Sequence, residues 1–158
     1  MANLFMKTLT DLVASTVTAA TPTANSAVHV ATGFAEVQHA GEPEVPVDHG
    51  FEIGVDSTET TTTTSHEDAV AQVERLVRFS VTVWYVNAGA TRRAFTTLIA
   101  QDYCTLVDLI ERAVHGIGAE CSQDGEASID DRRDLDAGGN VGELTINFVA
   151  HGRENMQV

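Results

Sequence analysis

The stretch "VRFSVTVWYVNAGATRRAF", Val77 to Phe95, decides the fold. Val77, Phe79, Val81, Val83 and Tyr85 alternate with Arg78, Ser80, Thr82 and Trp84, which is the two-residue period of a strand with one buried face. The turn "NAGAT" ends that strand, Thr91 is placed to cap a helix, and the helix opens on Arg92 and Arg93. A strand that hands over to a helix through a glycine-containing turn is a place where phosphate can be held. Such a cradle needs several glycines so that backbone amides converge, and here Gly89 stands alone, without the Walker or dinucleotide spacing. Two arginines in a first helical turn also oppose the helix dipole unless a carboxylate or a neighbouring subunit answers them. In a chain with 23 acidic residues an answer is close at hand, so the junction reads as a salt-bridged corner or a subunit contact.

Beyond the corner, Phe95, Leu98, Ile99, Leu106, Leu109, Ile110, Ala113 and Val114 fall on one helical face until Gly116 and Gly118 stop the helix. The chain then passes through "AECSQDGEASIDD" and the acidic, glycine-rich "RRDLDAGGNVG". It closes with Leu144, Ile146, Phe148 and Ala150 alternating against Glu143, Thr145, Asn147 and Val149, so this part reads as a strand pair around a long loop.

Upstream, Leu4, Phe5, Leu9, Leu12, Val13 and Val17 recur at helical spacing; Lys7, Thr8, Thr10 and Asp11 interrupt them, which predicts an amphipathic helix rather than a signal peptide. Val28, Val30, Phe34 and Val37 predict a strand kinked near Gly33, and the proline-containing "AGEPEVPVDHG" a loop or an edge. Phe51, Ile53 and Val55 alternate with polar residues as a second strand, and the wholly polar "STETTTTTSHED" is expected as a mobile loop or the tip of a long protruding hairpin. The sum is one α+β domain over residues 1–158: a mainly antiparallel sheet with an N-terminal helix and one long helix packed on one face, joined by long polar loops.

The formal charge of -14 argues against a basic grip on nucleic acid, and no run of about eighteen apolar residues is present to span a bilayer. No catalytic, metal or cofactor motif appears. Asp134 and Asp136 stand at the first and third positions of a calcium-like loop, but Gly138 takes the fifth position and Thr145 the twelfth, where oxygen ligands belong; with Asp130 and Asp131 the segment reads as a solvated acidic turn. The six histidines are scattered singly, and Cys104 and His115 lie three helical turns apart, about 16 Å of rise, out of reach of each other. Cys104 and Cys121 are expected as buried free thiols.

The order of elements, above all "RLVRFSVTVWYV", the turn, "RRAFTTLIAQDYCTLVDLIERAV" and the closing "ELTINFVAHGRE", resembles the tail terminator (tail completion) proteins of long-tailed bacteriophages and gene transfer agents. The likeness is one of layout over most of the chain, leaving out Gly41 to Asp68. It places the family's strand arginine at Arg75 or Arg78 and its helix aspartate at Asp102. What the resemblance implies is a non-enzymatic virion protein without cofactor, made in the host cytoplasm, that forms a homo-oligomeric ring, typically six-fold, on the finished tail tube. Such a ring stops tube growth, meets the head–tail connector or neck proteins, and lets DNA pass without binding it. An acidic surface suits that passage. The interface is expected around Arg78, Arg92 and Arg93, the threonines Thr60, Thr61, Thr62, Thr63 and Thr64, and the acidic Asp130, Asp131, Asp134 and Asp136. The alternatives are an adaptor bound to the portal and a small cytosolic binding module.

Overall fold

The computed structural model describes residues 4–23, 33–37, 48–64, 70–87, 89–134 and 139–157. Helix α1 (Leu4–Ala19) is followed by strands β1 (Ala35–Glu36), β2 (Gly50–Thr64) and β3 (Val70–Asn87), helix α2 (Arg92–Gly116), and strands β4 (Glu120–Gln123), β5 (Ser128–Asp134) and β6 (Gly139–Gln157). The sheet order is β1-β2-β3-β6-β4, with β5 also pairing β6. All pairs are antiparallel except the short parallel pair of β1 with β2. This is the expected α+β class, with a sheet that is mixed and mostly antiparallel.

The alternation in β3 sets the core. Val77, Phe79, Val81, Val83 and Tyr85 are fully buried, and the register puts Ala150, Phe148, Ile146 and Leu144 of β6 opposite the first four of them. Phe79 and Phe148 face each other as a stacked pair with ring centroids 5.1 Å apart. On the helix side this layer meets Phe95, Leu98, Ile99, Leu106, Ile110 and Val114 of α2 and Phe5, Leu9, Val13 and Val17 of α1, all buried. Each large side chain so enclosed contributes about 1.5–3 kcal/mol relative to exposure. Leu109 and Leu12, expected on the same faces, are partly buried at their margins. Thr91 caps α2: its hydroxyl accepts from the Ala94 amide at 3.2 Å.

Three expectations change. The acidic segment after α2 is β5, so two strands flank β6 where one was expected; Asp130 and Asp131 pair with Glu143 and Gly142 in a ladder rather than lying in a turn. Apolar alternation could not announce β5, because its sequence "SIDDRRD" holds one apolar residue and the ladder is made by backbone groups. The threonines do not form a loop either: β2 runs through them to Thr64, so the hairpin is the correct alternative. Finally, Cys104 is exposed while Cys121 is buried. Of the strand expected around Gly33, only Ala35–Glu36 is seen; residues 24–32 and 38–47 lie outside the described residues, as do His66, Glu67 and Asp68.

Burial, with Glu111 nearby, pushes the Cys121 thiol from its ordinary value near 9 up to about 12. A thiol that stays protonated in the fold but ionises when unfolded stabilises fully below pH 9, and this contribution is lost as pH rises toward 12. Urea midpoints are therefore expected to fall from pH 8.5 to 10.5 more steeply for the wild type than for Cys121→Ala. Parallel slopes would refute this.

Candidate functional site

The opening corner is closed on itself. The Asn87 side chain, mostly buried, accepts from the Gly89 amide at 3.0 Å and the Ala90 amide at 2.8 Å, and donates to the Ala90 carbonyl. These are amides that a phosphate would need. Gly89 itself has a φ of 146°, a conformation that side-chain-bearing residues rarely adopt. Arg92 is answered within the chain: its Nε lies 3.3 Å from Asp131 Oδ2, and β5 is the element that brings that carboxylate to the start of α2. Arg93 is exposed beside it. The Arg92 side chain is 80% exposed but that of Asp131 only 6%, so Arg92→Glu, which sets a like charge against the enclosed carboxylate, is expected to lower stability by about 1–2 kcal/mol, readable as a shift in urea midpoint. A loss of several kcal/mol would mean that the corner carries more of the fold than this geometry allows.

At the opposite end of the long strands lies a three-stranded arm. Eighteen residues of β3 span about 60 Å of strand, against about 37 Å for the 25 residues of α2, so the sheet runs on beyond α2, and α1 covers it as far as Gly152, which lies under the Phe5 ring. A bulge between Val55 and Ser57 marks where β2 leaves the core, and every residue from Val55 to Thr62 is exposed. Arg78, on the sheet face away from the helices, reaches Glu59 at 3.2 Å and Asp124 at 3.7 Å. Arg75 donates to the Thr60 hydroxyl at 3.1 Å. Glu74 stands between Arg153 at 3.1 Å and His151 at 3.6 Å.

The expected interface residues therefore fall into two groups. Arg92, Arg93, Asp130, Asp131 and Asp134 gather at the corner; Asp136 lies outside the described residues. Arg78 and Thr60 to Thr64 belong to the arm. Asp131 is level with Gly142 and Thr60 with Gly152, ten residues along β6, about 34 Å.

Level with the corner along the strands, Tyr85 and Asp131 both pairing with Gly142, sits a buried polar cluster in which the sequence singled out Asp102 and placed Tyr85 only as a core position. This carboxyl, on the buried face of α2 and 1% exposed, accepts from the Tyr85 hydroxyl at 3.0 Å and from the Thr23 amide at 2.7 Å. It thus ties the chain leaving α1 to the central strand. Burial, with Asp102 next to it, pushes the Tyr85 hydroxyl far above its ordinary range, so the phenol stays a donor. Asp48 accepts from the Val86 amide at 2.9 Å, and the buried His49 ring meets the rings of Phe34 and Tyr85 edge-on. His49 adopts φ of 60°, uncommon for a residue other than glycine. The turn is held by His49 donating to the Trp84 carbonyl at 2.7 Å and accepting from the Ala35 amide at 3.1 Å. A polar residue on an otherwise apolar helical face is the signal that could have found Asp102; nothing in the sequence pairs it with Tyr85.

Among the described residues, no group of three His, Cys, Asp or Glu side chains is arranged to hold a metal, and no helix is long and apolar enough to cross a membrane. Comparison with protein-family models and with curated proteins finds no match to this chain.

Proposed function

We propose that this chain is a structural subunit of a tail terminator ring, which caps a phage-type tail tube, ends its growth and joins it to the neck. The observation that carries this reading is the arm: a three-stranded ribbon with an exposed, wholly polar β2 edge from Asp56 to Thr62, extending past α2 at the far end of the long strands from a second polar corner. A subunit that must touch its ring neighbours, the tube beneath and the neck above needs surfaces at both ends of its long axis. Long exposed strand edges suit assembly, since each offers backbone groups to another strand. The acidic balance of -14 supports a conduit that does not retain DNA phosphates.

The reading follows the resemblance in layout, with the N-terminal helix, the arginine-bearing strand, the helix with a central aspartate and the closing strand each present as an element. The test has two arms. Purified protein, viewed by electron microscopy and sedimentation, is expected to form rings, and particles lacking it are expected to have tails of irregular length. A monomer at high concentration together with normal tail lengths overturns the proposal; rings matching the portal's symmetry would make the chain an adaptor instead. Arg92→Glu with Arg93→Glu is expected to reduce ring formation at least tenfold while leaving the circular dichroism spectrum unchanged, and undiminished assembly would remove the corner from the interface.

A further inference from the structure

Both outer edges of the arm, among the described residues, lack a strand partner over the stretch where they are level. Among the described residues, β1 covers β2 only at Gly50 and Phe51, and the last partner of β6 on its outer side is Glu120 of β4, opposite His151. Beyond these points Thr60 is level with Arg75 and Gly152, and Thr64 with Ala71 and Met156. The runs Thr60–Thr64 and Gly152–Met156 thus form the two borders of one ribbon, each presenting a row of backbone donors and acceptors. Such an edge is a template for another strand, and monomeric proteins blunt it with proline, charge or a bulge. The bulge of β2 comes earlier, at Val55/Ser57, and the five residues that follow Glu59 are threonines with no charge and no proline.

Resting on the ring reading, we infer that neighbouring copies join by strand addition, the Thr60–Thr64 edge of one copy pairing with the Gly152–Met156 edge of the next. A second copy is the occupant because one chain carries both halves of the joint, level with each other over Thr60–Thr64 and Gly152–Met156. Since β2 and β6 both run antiparallel to β3, they are parallel to each other. Docking one on the other without turning the sheet over makes a parallel pair and leaves the same two edges at the ends, a head-to-tail contact that repeats and closes into a ring. Charge points the same way. Two copies at -14 each repel over most of their surfaces, whereas this joint sets an uncharged run against one that holds a single arginine, Arg153, and a single glutamate, Glu154.

The test is a cysteine scan in the full chain with Cys104→Ser as background. Thr62→Cys is combined in turn with Arg153→Cys, Glu154→Cys and Asn155→Cys. Within one arm, β2 and β6 are separated by two strand spacings, about 9.6 Å, beyond the roughly 7 Å that a disulfide tolerates, so any bond formed is between copies. At least one pair is expected to give a ladder of oligomers on a non-reducing gel. In parallel, Thr61→Pro and Thr62→Pro are compared. Successive amides of a strand point to opposite sides, so one of the two removes an outward donor and leaves the β3 ladder intact. That variant is expected to weaken assembly at least tenfold with an unchanged thermal midpoint. If rings form normally in both proline variants and no cysteine pair links, strand addition is wrong while the ring reading stands. If the wild type is monomeric, both fall.

Discussion

Asp102→Leu is expected to destabilise the fold by about 3 kcal/mol, because it strips one buried and one half-buried donor of their acceptor at once. The Tyr85 hydroxyl is fully enclosed and cannot turn to water; the Thr23 amide is half-buried and can recover part of its loss. Leucine has the same branching, so no cavity opens, but its methyls are bulkier than the oxygens they replace and crowd the two donors, which adds to the loss. Two further variants separate the contributions. Asp102→Asn keeps a carbonyl oxygen for one of the two donors and is expected to lose only about 1 kcal/mol. Tyr85→Phe in the Asp102→Leu background removes the orphaned hydroxyl and is expected to restore about 1 kcal/mol, giving a coupling that a double-mutant cycle in urea reads directly. Additive losses, or an Asp102→Leu protein within 0.5 kcal/mol of wild type, would show that the cluster does not pin the α1 exit.

A second large effect is expected at Gly142, which lies beneath the first turns of α2. A Cβ there would sit 2.6 Å from Ile99 Cδ1 and 2.9 Å from Phe95 Cζ. Both side chains are buried, 0% and 1% exposed, so neither can swing aside. Gly142→Val is expected to lose about 3 kcal/mol and to push α2 off the sheet, with Gly142→Ala losing less. Because Asp131 pairs with Gly142 in register, the same displacement would part Arg92 from its carboxylate, so the corner and the core should fail together. Gly116→Ala is the control: nothing lies within 4 Å of an added Cβ, and the change is expected to be neutral or to stabilise by up to about 1 kcal/mol. A Gly142→Val protein with a wild-type midpoint would mean that the helix has room to move.

Residues that bury apolar side chains at a regular period were legible from the start. The buried faces of β3 and β6, the extent and cap of α2 and the amphipathic α1 all follow from spacing, since a two-residue or 3.6-residue period has one solution once one face must leave water. What was not legible depends on backbone bonding or on partners distant in sequence. β5 has almost no apolar signal and exists because β6 offers it an edge. The polythreonine run is polar and β-branched, compatible with loop and strand alike, and its pairing with Arg75 to Ala71 settled the matter. At the corner, Asn87 as the group that occupies the turn's amides was not legible either, because a side chain turning back on its own turn leaves no spacing signature.

The sequence by itself determined the class of fold, the core-facing residues of the two main strands and both helices, and the acidic character that disfavours a grip on nucleic acid. Only the tertiary structure decided that Arg92 has its answer in Asp131, that Asp102 joins Tyr85 to the exit of α1, and that the threonines and the end of β6 border one arm. The physical reason is the range of the interactions. Burial periodicity is a local property written along the chain, whereas an ion pair, a buried hydrogen bond or an open strand edge depends on which distant segments the packed core brings side by side.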